Sequence, residues 1–354
     1  MEIKTKIPVA VLGATGAVGQ RFIQLLADHP WFEIVALAGS DRSAGKPYAE
    51  ACRWVLDSDP PPRVGEMIVA APEPGLPGTI AFSALPTEVA REVEPQFAQA
   101  GYLVCSNASA YRETSHVPLL IPELNADHLG MIARQRAVCS WPGLIVTSPN
   151  CTTTGLAMAL YPLHRAFKVT QVFVTTLQAV SGAGYPGVPF LDITDNLIPY
   201  IGGEEDKIRS ETCLLLGDMS AGERTPAEIG ISVQVTRVPV IDGHTLSIAA
   251  KFEHPPTVEE ATQVLESFRG PDVLRQLPSA PARPVVVRYE LDRPQPRRDR
   301  GAEGGMAVTV GRVRPCTLLD LRLVSVVHNT LRGAASGSIL NAELLVAEGF
   351  VPRN

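Results

Sequence analysis

The 354 residues exceed what one hydrophobic core usually serves, so two domains are expected. A hydrophobic fraction of 45% and a charged fraction of 19% describe an ordinary globular protein, and the net charge of −6 offers no broad basic field to nucleic acid or an anionic membrane. The six cysteines are scattered without C-x-x-C pairs, which argues against a zinc site or a disulfide framework. No apolar run reaches the length of a membrane span. Met1-Glu2-Ile3-Lys4 leads straight into a strand and a glycine turn, so no secretory leader is expected. The simplest reading is a cytoplasmic enzyme with reduced thiols, acting on a small molecule.

Ile7–Leu12 is a strand-like apolar run, followed by Gly13, Gly16 and Gly19 in a G-x-x-G-x-x-G turn. Phe22, Ile23, Leu25 and Leu26 then recur at helical spacing until Pro30. A strand, a glycine turn and a helix in this order can accept a dinucleotide pyrophosphate at the helix N-terminus. The next strand, FEIVALAG, ends at small polar Ser40, with Asp41, Arg42 and Ser43 behind it. An NAD site usually ends this strand with an acid, and an NADP site places an arginine nearby, so NADP is expected, with Asp41 the residue that speaks for NAD.

Residues 46–78 are rich in Pro and Glu and read as irregular with short elements. TIAFSALP is a buried strand, TEVAREVEPQFAQAG a helix ending at Gly101, and YLVCSNASAYR a strand entering a polar loop with Arg112. Residues 116–143 read as a linker with a short helix. Beyond residue 168 the pattern changes to alternating strands: VTQVFVTTLQAV, ISVQVTRVPV, HTLSIAAKF, PVVVRYE, GMAVTVGRVR and LLDLRLVSVV, with one amphipathic helix, TVEEATQVLESF. These predict a mixed or mostly antiparallel sheet in a second domain. The small-residue helix in HNTLRGAASGSILNAELLVAEGF can pack back on the first domain and complete it.

The chemistry centres on SPNCTTTGLAMAL. A strand, LIVTS, turns at Pro149-Asn150 into Cys151, and a helix from Thr152 to Phe167 follows. That puts a thiol at a helix N-terminus, where unpaired N–H groups and the dipole favour an anion. A free thiol with pKa ~8.5 is only about 3% thiolate at neutral pH. Half-ionisation needs roughly 2 kcal/mol, and a helix end supplies ~0.3–1 kcal/mol, so a second partner is required. A histidine is the partner expected; His244, after Gly243 at a strand start, would by itself more often be structural or surface than catalytic, and gains weight only in combination. Gln178 before the glycine turn SGAGYPGV, Glu204 and Lys207 three apart on a helix, and Arg237 complete the set.

On GATGAVGQRF, FSALP, SNASAYR, SPNCTTTGL, TLQAVSGAGYPGV, DNLIPYIGGEEDKI, RVPVIDGHT and NTLRGAASGSILNAELL, the chain resembles aspartate-β-semialdehyde dehydrogenases of the archaeal and fungal branch over essentially its whole length. The resemblance implies an α/β fold: a Rossmann domain, here residues 1–150 completed by 329–354, and a catalytic and dimerisation domain, 151–328, with a mixed sheet. It implies NADPH-dependent reductive dephosphorylation of L-4-aspartyl phosphate, in the synthesis of lysine, methionine and threonine, by a homodimer or homotetramer. Carried over by motif, Cys151 is the nucleophile, His244 the general acid/base whose protonated form steadies the thiolate, and Gln178 positions the thioester. Arg237 takes the substrate α-carboxylate and Glu204 its amino group, while Lys207, Arg112 and Asn150 take the phosphate. Gly13, Thr15, Gly16, Ala17 and Val18 cradle the cofactor, with Ser40, Arg42 and Ser43 at its 2′-phosphate and Ser181, Gly182 and Asn329 toward the nicotinamide. The pattern departs from the family at Thr152-Thr153-Thr154, where Ser often follows the nucleophile. Two other readings fit parts of the pattern: malonyl-CoA reductase, whose substrate would leave Glu204 without an amine, and a non-catalytic nucleotide-binding protein, which would need neither Cys151 nor His244.

Overall fold

The structure, a computed structural model, describes residues 5–351. The reading of Met1-Glu2-Ile3-Lys4 and the last three residues of the closing segment lie outside the described residues. Among the described residues no helix is long and apolar enough to cross a membrane.

The first half builds one sheet of six strands: β1 (Ile7–Leu12), β2 (Phe32–Ala38), β3 (Val69–Ala70), β4 (Ile80–Ser83), β5 (Leu103–Ser106) and β6 (Leu144–Thr147). All pairings are parallel, in the order β3-β2-β1-β4-β5-β6. This is the doubly wound arrangement, with ligand-binding loops at the carboxyl ends of the strands. Continuous burial of β4, β5 and β6 fits strands covered on both faces. The segment read as a linker is more helical than expected: a turn of helix at Pro122–Asn125 leads through a 3₁₀ turn into a helix at Met131–Cys139.

The second half contributes β7 (Val169–Gln178), a small hairpin of β8 (Asp218–Ser220) and β9 (Glu223–Thr225), then β10 (Gly230–Arg237), β11 (His244–Phe252), β12 (Val285–Arg288), β13 (Val308–Pro315) and β14 (Leu321–Val327). Its six-stranded sheet runs β10-β7-β11-β14-β13-β12. It is mixed: β10 is parallel to β7 and β12 to β13, while the β7–β11, β11–β14 and β13–β14 pairs are antiparallel. One face packs on the helices Cys151–Phe167, Glu204–Leu216 and Val258–Ser267; the other leaves Phe173 and Leu177 exposed.

Two devices join the halves. The Ser336–Ala347 helix lies in the first core, where Ile339, Leu340 and Leu344 pack with Val9, Phe22 and Cys105. Its buried Glu343 accepts hydrogen bonds from His29 Nε2 at 2.8 Å and from the Ser279 hydroxyl at 2.5 Å. The second device is the Cys151–Phe167 helix itself. It leaves the end of β6, the last strand of the first sheet, and buries Leu156, Met158, Leu160 and Leu163 in the second core. Gly155 lets it approach that sheet: a Cβ there would lie 2.7 Å from Val327 Cγ1 and 3.2 Å from Leu246 Cδ1. Gly155→Ala is therefore expected to lower stability. Overpacking costs about 1–3 kcal/mol and exceeds the helix-propensity gain of about 1 kcal/mol. The urea midpoint measures it, and an unchanged or raised midpoint contradicts the close approach.

Candidate active site

Cys151 is the first residue of its helix, one position earlier than expected. Asn150 caps it, with Oδ1 accepting from Thr152 N at 2.8 Å and Thr153 N at 3.1 Å. Behind the cap stands Glu211, on the Glu204–Leu216 helix and only 1% exposed. Its carboxylate accepts from Asn150 N at 2.6 Å and from Arg112 Nη1 at 2.9 Å. Arg112 also donates to Asn107 O at 2.7 Å, so this buried guanidinium is held in place from two sides. The Asn150 Nδ2 group donates to the Glu204 carboxylate.

His244 opens β11 and reaches the nucleophile from the second sheet: its Nε2 lies 3.2 Å from Cys151 Sγ. Its Nδ1 accepts from Ala179 N at 3.0 Å. The carbonyl of the same residue, Ala179, accepts from Arg237 Nη1 at 2.8 Å. Gln178 and Arg237 end their strands as register partners on β7 and β10, which brings both side chains to one rim. Gln178 Nε2 donates to Thr176 Oγ1 at 3.2 Å. Gly182 lies against both side chains: a Cβ there would sit 2.9 Å from Arg237 Nη1 and 3.2 Å from His244 Cε1. Asn329 ties this turn to the histidine strand, donating to Ser181 Oγ at 2.7 Å and accepting from Gly243 N at 2.9 Å. Lys207 and Arg112 line one cavity with Glu211.

The glycine turn at the N-terminus fits a dinucleotide phosphate. Gly13 has φ of +77°, and a Cβ on it would lie 2.6 Å from Ala84 O; one on Gly19 would lie 2.2 Å from Gly13 O. The Ala17–Leu26 helix starts at Gly16 with no side-chain cap, so its first N–H groups are left for a ligand. Tyr48 and Gln20 brace the turn from behind, donating to Ala14 O at 3.0 Å and Thr15 O at 3.1 Å. After β2, Ser43 N bonds Ser40 O at 2.8 Å, and Lys46 Nζ bonds Arg42 O at 2.8 Å, adding a second cation beside exposed Arg42.

Two family models match the chain: the semialdehyde dehydrogenase NAD binding domain over residues 8–132 and the semialdehyde dehydrogenase dimerisation domain over residues 160–332. An aspartate-semialdehyde dehydrogenase of Methanothermobacter thermautotrophicus is 51% identical, with 96% of this chain and 99% of that one covered. The chain belongs to the aspartate-semialdehyde dehydrogenase family. The Archaeoglobus fulgidus member is 49% identical over 97% of this chain and 99% of that one. The crystal structure of the Candida albicans member with NADP superposes with a TM-score of 0.90 at 40% identity, covering 98% of this chain and all of that one.

Within this family fold, the surroundings of Cys151 and His244 oppose the expected thiolate–imidazolium pair. The surroundings push the Cys151 thiol up to about 12, by desolvation first and the Glu204 carboxylate second, against smaller opposing effects of Arg112 and Thr152. His244 is pushed down to about 3, by desolvation and then by Arg237 and His328. A helix end worth ~0.3–1 kcal/mol does not offset the desolvation at this half-buried thiol. Burial and the neighbouring Arg237 guanidinium oppose the charge of the protonated histidine expected to steady that thiolate.

Sequence reasoning missed Glu211, Ala179 and Gly333. Glu211 lies one helical turn beyond Lys207, on the same helix as Glu204, and that spacing was a usable signal. Ala179 acts through its backbone and leaves no signal. Gly333, in a π-helical turn at Leu331–Ala335, backs the nucleophile: a Cβ there would lie 2.6 Å from Cys151 Cβ. A thiol whose pKa is raised stays protonated until alkaline pH. Alkylation of Cys151 by iodoacetamide, followed by mass spectrometry, is therefore expected to keep rising above about pH 8.5, the free-thiol midpoint. A plateau at or below neutrality would restore the ion pair.

Proposed function

We propose that this chain catalyses the NADPH-dependent reductive dephosphorylation of L-4-aspartyl phosphate to L-aspartate 4-semialdehyde through a thioester on Cys151, on the route to lysine, methionine and threonine. The observation that carries the reading is the Cys151–His244 contact at 3.2 Å, with Arg237 and Glu204 beside it. NADPH supplies the hydride when bound. Gly13, Thr15, Gly16, Ala17 and Val18 would hold its pyrophosphate and Ser40, Arg42 and Ser43 its 2′-phosphate, with Ser181, Gly182 and Asn329 toward the nicotinamide.

Cys151 attacks the acyl carbon, and phosphate leaves toward Arg112, Lys207 and Asn150. Arg237 grips the substrate α-carboxylate with its planar fork. Glu204 takes the α-ammonium, exchanging its contact with Asn150 for the substrate and freeing the Asn150 amide to face the phosphate. Gln178 positions the acyl group at the strand rim, and the Nε2 edge of His244 faces the reacting sulfur. Malonyl-CoA would leave Glu204 without a cationic partner, which favours the aspartyl substrate.

The same reading assigns residues 1–150 and 329–354 to the cofactor domain and 151–328 to the catalytic domain. A second copy of the chain covers the outer face of the second sheet, where Phe173 and Leu177 are exposed, in a dimer or a tetramer of the cytoplasm.

The test is NADP-linked oxidation of L-aspartate semialdehyde in phosphate, run beside reduction of malonyl-CoA. Turnover of the semialdehyde with none of malonyl-CoA is expected; the reverse result rejects the substrate. Cys151→Ser is expected to lose about 10³-fold or more in kcat, with NADPH affinity by fluorescence titration unchanged. A near-normal rate would remove Cys151 from the chemistry. Arg42→Ala is expected to erode the NADPH-over-NADH ratio of kcat/KM by about tenfold, the worth of one charge-assisted phosphate contact. An unaltered ratio would mean that another group reads the 2′-phosphate.

A further inference from the structure

Glu211 answers two donors from separate stretches of chain. Its Oε1 accepts from Arg112 Nη1 at 2.9 Å and its Oε2 from Asn150 N at 2.6 Å. Arg112 lies on the loop after β5 and Asn150 on the turn after β6, both beyond the carboxyl ends of the first sheet. Glu211 instead rides on the Glu204–Leu216 helix, which packs on the second sheet. Ile208 and Leu215, one turn to either side of it, are fully buried in that second core, so the backbone beneath the carboxylate is fixed. The carboxylate pins two loops of one sheet to a helix of the other.

We propose that Glu211 is a positioning residue for acyl transfer: it ties the guanidinium that receives phosphate and the peptide that starts the Cys151 helix into one unit, and holds that unit while Glu204 is given up to the substrate. The proposal rests on the thioester chemistry above and deepens it with a residue that acts through Arg112 and Asn150.

Asn150 shows why such a hold is needed. Its Oδ1 accepts from Thr152 N and Thr153 N, and its carbonyl accepts from Thr154 N at 2.9 Å. Its Nδ2 donates to Glu204 and its own N to Glu211. The two glutamates stand two turns apart on one helix face, so both reach the same residue. When the substrate ammonium takes Glu204, the side-chain tie is lost. The bond from Asn150 N to Glu211 is the tie that does not compete with substrate, and it keeps the turn, and Cys151 after it, in place.

Arg112 shows the other arm. It is held by Glu211 and by Asn107 O, yet its Nε is buried and has no partner. A buried donor left unmade is costly, and an anion is the group that would satisfy it. Lys207 lines the same cavity as Arg112 and Glu211 and brings a second cation. Only a carboxylate of this length meets both demands on residue 211. A glutamine presents one acceptor oxygen and an N–H, which would face either Arg112 or the Asn150 peptide, donor against donor. An aspartate keeps the charge but is a methylene short of spanning both.

The experiment compares the full-length wild type with Glu211→Gln and Glu211→Asp in semialdehyde oxidation, varying phosphate, semialdehyde and NADP separately. Both variants are expected to raise the KM for phosphate about tenfold, the worth of one charge-assisted contact, and to lower kcat about tenfold or more through the loosened thiol. The KM values for semialdehyde and NADP are expected to stay, because Arg237 and the glycine turn are untouched. An unchanged KM for phosphate, or an equal rise in every KM, would overturn the proposal, since a general loosening moves them together. Glu211→Gln strands a buried guanidinium, which can prevent folding; Glu211→Asp keeps the charge and is judged by the same outcomes. A cycle with Arg112→Ala separates the arms. In the double variant Arg112→Ala/Glu211→Gln, from which both charges are gone, the KM for phosphate is expected to equal that of Arg112→Ala, while kcat falls further through Asn150. Multiplying KM effects would show that Glu211 does not act through Arg112. A wild type that turns over no semialdehyde would reject the proposed function. The Glu211 proposal is then judged by calorimetric binding of inorganic phosphate and by the iodoacetamide rate at Cys151: weaker binding and a changed rate in Glu211→Asp support it, and no change in either overturns it.

Discussion

The placement of Cys151 depends on one helix end being held from both sides. In front, Asn150 Oδ1 satisfies the amides of Thr152 and Thr153. Behind, the buried Glu211 carboxylate takes the Asn150 amide and the Arg112 guanidinium together. A buried carboxylate without such donors would be costly. Here its satisfaction locks the turn between β6 and the Cys151–Phe167 helix, and the same carboxylate fixes the arginine best placed to meet an anion. The position of the thiol and that of the Arg112 guanidinium are thus set by a single side chain.

The facing half of the site is held by backbone and by empty space. Ala179 uses its N–H on His244 and its carbonyl on Arg237, so the arginine and the histidine share one backbone residue. Gly182 and Gly333 are there because a Cβ would intrude on Arg237, His244 or Cys151. Neither has a left-handed φ; what they supply is close approach. Such closeness excludes water, which strengthens each hydrogen bond inside and raises the cost of any unpaired charge. The upward shift of the Cys151 thiol and the downward shift of His244 both follow from it.

The two sheets meet where these halves meet. The Cys151–Phe167 helix runs from the end of the first sheet into the second core, and β11 of the second sheet brings His244 to Cys151. The Ser336–Ala347 helix then returns to the first core, with Glu343 gripping loops on both sides. The glycine turn of β1, braced by Tyr48 and Gln20, opens at the carboxyl end of the same sheet as the nucleophile turn.

Much of this was legible in the chain alone, because the signals involved are local. The strand, glycine turn and helix at residues 7–26, the strand–turn–helix around Cys151, and the change from buried parallel strands to alternating ones after residue 168 all come from short-range periodicity and backbone constraint. The pairing of Cys151 with His244 came from motif resemblance, and the fold brings the two within contact across 93 positions of sequence. What tertiary structure alone decided is everything that depends on distance through space. The role of Glu211, the Ala179 backbone between His244 and Arg237, the glycines that leave room and the sign of the pKa shifts at Cys151 and His244 all required the packed neighbours. A helix end can be read from sequence, but the desolvation that outweighs it is a property of what surrounds the thiol, and no residue pattern along the chain records that.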